Sequence, residues 1–540
     1  MADEQGYGDD YTPEVDDSAF KERSPAKLQK PGDVIYNEVL IISESSGVID
    51  IKDYVVEINI YEDIFSPCLH GNIIIRDTQN LIEKIPLIGD EILTLDISTP
   101  EITQSKYDPT NCIQKSFAIY GIKNRALSNE DKEQLYMLHF ISIEGLMDNV
   151  TYLCQKFEGT TDEVVQKVFD DNFADVPRYV NAELTKENAP KTGVFIGDQP
   201  HTSKVSFLPT MWTPFQIMNY LAKRSLGTEI TDAPTYLFYE TTKSFYFCSI
   251  SGLIKSQLDT GYVANKFKYR KKAHEEQMSQ DAIRLGYTHI ENLEFLTNMD
   301  VLQGQDLGHF ASSLCTLDMV KKEYVGTVYD HGFEFQKYPH LGNYESAMNS
   351  VAPTKKEKKY NSIFPINVIR SSDSKVFVET IHKGVLDNTD DDLINLHPEK
   401  YVQQRNSLFS DMTTLKMKIT VPGRTNMEVG TIIDLDYPSV MSNRTKSTDE
   451  EIRDKWVSGY YMITAIHHQI TKLRHNAILE IAKDSYLNEL VTVDDGGGEK
   501  PPENKSPEQA TNPPAVKPQT TNSPAEKPKT TNSLPAKPTK

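Results

Sequence analysis

The residues best suited to chemistry are three histidines near the C-terminal end, His467, His468 and His475. Imidazole nitrogens are common ligands for zinc and related cations, so three close together would be a candidate metal centre. Their surroundings read as strands, and neighbours on a strand point to opposite faces. His467 and His468 therefore cannot easily share one ion, and no metal centre is expected. The carboxylate runs Asp390-Asp391-Asp392 and Asp449-Glu450-Glu451 stand in polar loops, where solvated charge is the expectation. General acid–base work needs carboxylates whose pKa values are pushed apart by burial, and these runs give no sign of it. Lys266-Phe267-Lys268-Tyr269-Arg270 alternates base and aromatic, a pattern that can stack on single-stranded nucleic acid. Glu275-Glu276 follows soon after, and an amphipathic strand is the better reading. There is no Walker A loop, no GxGxxG after a strand, no HExxH and no GxSxG. No catalytic residue, metal or cofactor is expected, and the chain reads as non-enzymatic.

The elements that would hold such residues are mostly strands, and their order repeats. Ile88–Asp96, Phe117–Ile122 and Leu135–Glu144 form one series; Val429–Asp436, Tyr461–Ile466 and Ala477–Asp484 form another. Gly89 and Gly430 are 341 residues apart, and Glu144 and Asp484 are 340 apart. A solenoid would repeat every ~20–50 residues, so two copies of one β-domain are implied, with something different between them.

The rest of the chain fits that plan. From Tyr54 onwards Val56, Ile58 and Ile60 are expected on one strand face, with Val55, Glu57 and Asn59 on the other. Strand runs without intervening helices suggest an antiparallel barrel or sandwich. After Gly159 the period becomes helical. Thr160 and Glu163 fit a capping box, and Thr213-Pro214 starts a second helix that Gly227 is expected to stop. Tyr236–Glu240 and Ser244–Ile250 follow as a hairpin. Gly304–Lys322 reads as a strand-rich return. A helix is expected near Pro398–Ser410, then a strand with Leu415, Met417, Ile419 and Val421 on its buried face and Pro422-Gly423 as its turn.

The fold class expected is α+β, mainly β: two antiparallel β-barrel domains separated by smaller α/β domains, with disordered ends. The segments are a disordered acidic arm at 1–33, a first β-domain at 34–150 and a small α/β domain at 151–255. A mixed α/β domain at 256–370, a second β-domain at 371–490 and a disordered tail at 491–540 complete the chain. The tail carries three Thr-Asn decamers, Thr511–Thr520, Thr521–Thr530 and Thr531–Lys540, rich in Pro and Lys. Such a segment cannot bury a core; it reads as a solubilising tail or as a tether.

At 540 residues several domains are expected, and the net charge of -21 disfavours duplex DNA or an anionic membrane as the main partner. The five cysteines, Cys68, Cys112, Cys154, Cys248 and Cys315, form no CxxC and suit buried, reduced thiols. The first residues lack a signal peptide's basic and apolar regions, and no run approaches the ~18 apolar residues of a membrane span.

The order of β-domain, α/β insert, second β-domain and polar tail resembles the central baseplate hub protein of contractile-tailed bacteriophages, typified by the T-even phages. The resemblance rests on Pro209–Ala222 with Phe238-Tyr239-Glu240 and Phe245–Ile250, on Val421–Gly430, and on Gly459–His468 with the closing strand to Asp484. It implies a homotrimer whose two tube-like domains per chain make a pseudo-six-fold ring, adapting a hexameric tail tube to a trimeric central spike. Implied partners are further copies of the chain, the spike with its tail lysozyme, the tube, the tape-measure protein and the baseplate wedge proteins. DNA would pass transiently through the lumen, no membrane would be bound, and the particle would assemble in the host cytoplasm. Gly89, Asp90, Pro422, Gly423 and Gly430 are the candidate tube-facing or framework turns. The acidic arm, the Thr-Asn repeats and the stretch between Leu435 and Trp456 depart from the family. Two other readings stay open: a hub of a related secretion or injection machine, and a tail-associated hydrolase.

Overall fold

The alternating runs of the N-terminal third form strands β1 (Ile35–Ser43), β2 (Gly47–Asp50), β3 (Val55–Asp63), β4 (His70–Asp77), β5 (Ile92–Ser98), β6 (Cys112–Leu127) and β7 (Gln134–Ser142). They pair antiparallel in the order β3-β4-β7-β6-β5-β1-β2. Their inward side chains, among them Ile58, Ile60, Ile73, Ile75, Phe117 and Phe140, make one apolar core. Gly71 on β4 is required by close approach, since a Cβ there would lie 2.2 Å from the Asn59 carbonyl oxygen and 2.4 Å from the Phe140 ring. One expectation is corrected on β3. A bulge between Val55 and Glu57 shifts the phase of the strand, so Val55 is buried with Ile58 and Ile60 while Val56 faces out.

In the computed structural model, residues 28–488 are described apart from 45–46, 85–86, 101–110, 128–131, 182–183, 185–188, 198–202, 228–229, 231, 261–264, 269–279, 345–370, 382–392 and 440–452. The repeat tail, residues 1–27 of the acidic arm, the Asp390 and Asp449 carboxylate runs, and Tyr269 to Glu276 lie outside the described residues.

Between the two β regions, β8 (Phe157–Thr160), β9 (Val194–Ile196), β10 (Lys204–Phe207), β11 (Tyr236–Glu240) and β12 (Phe245–Ser249) form two small sheets, β10-β8 and β11-β12-β9. Helices Thr161–Phe173 and Pro214–Ala222 cover them, sharing a core that includes Val165, Phe169, Ile217, Leu221 and Phe245. Both expected caps are present: the Thr160 amide donates to Glu163 Oε2 at 3.1 Å, and the Gln216 amide to Thr213 Oγ1 at 3.4 Å. The second helix ends at Ala222 rather than at Gly227, which instead bridges Ala233.

The C-terminal half contributes β13 (Asn265–Lys268), β14 (Asn292–Asn298), β15 (Ala311–Asp318), β16 (Glu323–Asp330), β17 (Val376–Ile381), β18 (Leu415–Pro422), β19 (Ile432–Asp436), β20 (Gly459–Thr471) and β21 (His475–Lys483). β16-β15-β17 is a separate three-stranded sheet. The rest joins the large sheet, and the sequence repeat becomes a repeat of topology. β4-β7-β6-β5 in one unit corresponds to β18-β21-β20-β19 in the other, with β3 beside β4 and β14 beside β18. One irregularity also matches: bulges fall between Ile119 and Gly121 and between Ile463 and Ala465, each pair 344 residues apart, while a second β6 bulge, between Lys123 and Ala126, has no counterpart in β20. The β18 face is as expected, with Leu415, Met417, Ile419 and Val421 all buried. The β20–β3 ladder fuses the two units into one 13-stranded sheet, and among the described residues this sheet stays open, with no closed barrel.

Three further expectations are corrected. Gly304 starts no strand, because Val301–Leu307 is a helix with Asp300 as its N-cap and Gly308, at φ +76°, ending it. Leu28 to Asp33 of the supposed arm is anchored: Leu28 packs on Ile283 and Tyr287, and the Gly32 carbonyl accepts from the His475 amide at 2.7 Å. Of the five cysteines only Cys112 and Cys248 are buried: Cys154, in the connection before β8, is exposed, and Cys68 and Cys315 are half-buried.

Candidate functional site

The fused sheet has a seam. Seven residues of β20 pair with seven of β3, from Ala465 opposite Asp63 to Thr471 opposite Glu57. Ile470 and Ile58 face each other there and are fully buried. Beside them the buried Glu62 carboxylate accepts from the amides of Thr242 at 3.1 Å and Val429 at 3.4 Å, and lies 3.6 Å from His468 Nε2. His468 Nδ1 is 3.0 Å from His475 Nε2, and burial pushes the His475 pKa well below its usual value. His467 points the other way, stacks on Tyr61 at 4.5 Å and sets Nε2 2.7 Å from Asn59 Oδ1. The strand argument thus separates the right pair, and His468 and His475 are interior seam residues.

A second set of charges joins the α/β insert to both units. Lys115 on β6 lies 2.5 Å from Glu240 on β11 and 3.8 Å from Glu144. Burial alone would neutralise the Lys115 ammonium, but Glu144 and Glu240 hold its pKa above the usual value. Burial first, then Glu144, pushes Glu240 up to about 7, with Lys115 pulling the other way. Lys243, in the β11–β12 turn, donates to the carbonyls of Cys112 at 2.7 Å and Thr425 at 3.0 Å. These ions are buried against partners from three layers, so they fix how the layers meet.

The five candidate turn residues do not converge. Gly89 and Asp90 are exposed, and Gly89 takes φ +104° with its amide donating to Glu91 Oε2 at 2.9 Å. Gly430, the equivalent position, takes φ +80° but is packed inside; its amide donates to Ile463 O at 2.8 Å and its carbonyl accepts from Gln257 Nε2 at 2.9 Å. Pro422 still belongs to β18, opposite Asn476, and a Cβ on Gly423 would meet the His475 ring at 2.4 Å. Only the Gly89 turn is free at the surface.

Two other surface segments were not singled out by sequence. The last seven residues of β6, Gly121–Leu127, pair with β7 on one side; on the other side no strand among the described residues meets them. β14 likewise pairs with β18 alone among the described residues. Both leave apolar side chains in solvent: Ile122 is 39% and Leu127 62% exposed, Phe295 40% and Leu296 44%. Bare edges with apolar residues are templates for pairing with another strand.

One buried cluster was also missed. His309 Nε2 lies 3.3 Å from Asp411 Oδ1, and His331 Nε2 lies 3.0 Å from Asp411 Oδ2. His309 follows the helix Val301–Leu307, His331 opens the helix His331–Glu334, and Asp411 sits on the helix Val402–Thr414. Burial, then His331, holds the His309 pKa down, and Asp411 opposes this. Burial would raise Asp411, yet His331 and His309 hold its carboxyl below the usual range. Ser407, one turn before Asp411, has Oγ 2.8 Å from His331 Nδ1. Ser407–His331–Asp411 has the connectivity of a hydrolase relay, but Ser407 is fully buried and donates its proton to the His309 carbonyl at 2.7 Å. A hydroxyl so placed cannot meet a substrate carbonyl. The spacing of 309, 331 and 411 matches no motif, so only the fold brings the three together.

No family model matches the chain. It is similar to the probable baseplate hub protein gp334 of Vibrio phage KVP40, 19% identical over 445 residues that cover 81% of this chain and 92% of that protein. Among solved structures, a tail protein from Neisseria meningitidis MC58 superposes with a TM-score of 0.45 at 8% identity, covering 84% of this chain and 97% of that one. The 43 kDa tail protein of prophage MuSo2 from Shewanella oneidensis gives a TM-score of 0.44 at 8% identity, covering 83% and 98%.

Proposed function

We propose that this chain is the central baseplate hub of a contractile phage tail, a structural protein of the virion that acts as a trimer. Its similarity to the KVP40 hub protein along most of both chains supports the baseplate assignment. The observation that carries the trimer is the seam: the chain already contains one joint between its two units and bare counterparts of both strands that make it.

The shared bulge sets Gly121–Lys123 of β6 equivalent to Ala465–His467 of β20; a second bulge in β6, between Lys123 and Ala126, then moves the match by one, so Ala126 takes the place of Gln469. In the same way β14 stands to β18 as β3 stands to β4, with Glu294 beside Lys418 where Asn59 is beside Asn72. Transferring the seam register, where Gln469 faces Asn59, sets Ala126 of one copy opposite Glu294 of the next, with Arg125 in the bulge beside that pair. Opposite charges on diagonal neighbours across a strand joint favour that pairing. A contact between different surfaces of identical chains closes into a ring when the rotation allows. Three chains then supply six similar units in one ring, three joints within chains and three between them. Six similar units suit a hexameric tail tube on one face, and three chains suit a trimeric spike on the other. Tape-measure protein and DNA would pass through the centre, and wedge proteins would meet the outside. Gly89 and Asp90, free at the surface, are proposed for the tube-facing rim, while Pro422, Gly423 and Gly430 are framework.

Light scattering on the purified chain, alone and with its spike partner, tests this. A trimer is expected in at least one condition. Arg125→Glu and Glu294→Arg should each break it, and the double variant should restore it. A monomer in both conditions, or single variants that assemble like the parent, would overturn the proposed ring.

A further inference from the structure

We propose that His309, His331 and Asp411 bind one divalent transition-metal cation of the zinc class. The three residues are all buried, and a ligand atom from each lies within 4.8 Å of the other two. Tetrahedral zinc with ligands at about 2.0–2.1 Å separates neighbouring ligand atoms by roughly 3.3 Å. Each imidazole nitrogen lies about one such edge from its own carboxylate oxygen, His309 Nε2 3.3 Å from Asp411 Oδ1 and His331 Nε2 3.0 Å from Asp411 Oδ2, so one ion would be held by both imidazoles and both oxygens.

Hydrogen bonding assigns the tautomers. The Ser407 carbonyl, 3.2 Å from His309 Nδ1, can only accept, so His309 carries its proton on Nδ1. The Ser407 hydroxyl gives its one proton to the His309 carbonyl, so it accepts from His331 Nδ1 at 2.8 Å. Each imidazole then turns Nε2, the ligand nitrogen, toward the Asp411 carboxylate. His309 Nε2 and Asp411 Oδ1 are buried without a hydrogen-bond partner among the described residues, while Asp411 Oδ2 faces His331. When the rings are neutral, Nε2 lone pairs face the buried carboxylate and repel it; a metal cation between them removes the repulsion, as a second proton on a ring does in the metal-free state. Ser407 is the outer-shell residue that such sites use to orient their histidines.

Two imidazoles and one carboxylate suit zinc or a neighbouring first-row cation and leave a position for water or an anion. A cleft lined by Asp300, Gln303, Ser410 and Tyr486 reaches His309 and provides a route in. The bound ion would tie the helix Val402–Thr414, which leads into β18, to the ends of β15 and β16. Its role is structural, joining segments about 80–100 residues apart in sequence.

The test strips the full chain with a chelator, then titrates it with zinc and measures retained metal by mass spectrometry and thermal midpoint by calorimetry. One zinc per chain and a midpoint rise of about 5 °C at saturation are expected. Asp411→Asn and His309→Gln should lose both, and His467→Gln should keep both. If those variants do not fold, cobalt in the parent protein gives the answer, because tetrahedral cobalt absorbs strongly in the visible range. Sub-stoichiometric zinc with no midpoint shift and no cobalt band would overturn the site and leave a metal-free imidazolium–carboxylate cluster. Zinc retained by both folded variants would overturn it as well.

Discussion

The two repeated units differ most where they should be most alike. In the C-terminal unit the long strand β20 is covered along its second half by β3, and its residues there are half-buried or buried. In the N-terminal unit the corresponding stretch of β6 is exposed at every residue from Ile122 to Leu127. The backbone is prepared in both, bulge included. What differs is whether the matching edge strand comes from the same chain. A joint within a chain can be filled with ions and histidines that need fixed partners, because its partners always arrive together. A joint between chains has to stay soluble while open, and β6 there carries Lys123, Asn124 and Arg125 among its apolar residues.

The comparison can be broken first at the inner joint. Ile470→Asp would bury a charge against Ile58 with no partner; a loss above about 4 kcal/mol is expected, seen as insoluble chain or a collapsed thermal midpoint. Glu62→Ala should cost about 2–4 kcal/mol by denaturant melting, since the amides of Thr242 and Val429 lose their acceptor inside the protein.

A smaller effect concerns pH. Glu240 has a folded pKa of about 7 against an ordinary 4.5, so the folded chain holds a proton that the unfolded chain has lost. Stability from this group therefore falls as pH rises from about 4.5 to 7 and is flat above. Glu240→Gln should flatten that slope in melts taken across this range; a slope unchanged in the variant would assign it to other groups. The smallest effect on the folded chain belongs to the outer edge. Arg125→Glu should shift the monomer's midpoint by less than about 0.5 kcal/mol while abolishing assembly, because the side chain is exposed. Equal losses of stability at Ile470 and Arg125 would erase the distinction between the joints.

The repeat was legible because each copy keeps its turn glycine and strand order, and both helix caps were legible from Thr160/Glu163 and Thr213-Pro214. The α-helical character of Val301–Leu307 was missed although Asp300 and Gly308 bracket it, since its apolar residues are too few to show a face. The phase of β3 was misread because a bulge leaves no mark in composition. The seam and the His309–His331–Asp411 cluster were out of reach for one reason: their members are brought together by sheet pairing and helix packing, with no local spacing to betray them. The His467–His468 argument succeeded because it needed only the two-residue period of a strand.

The inner joint also sets a timetable. Asn59 and His467 touch across 408 residues of chain. At a ribosomal rate of about 5–20 residues per second, β3 emerges roughly 20–80 s before β20 can cover it. Throughout that interval a strand with Ile58 and Ile60 on one side shows an open hydrogen-bonding edge to every other nascent copy. Glu57, Glu62 and Asp63 lie along that strand. Charged side chains along an open strand edge disfavour pairing with another strand, which is what that interval requires.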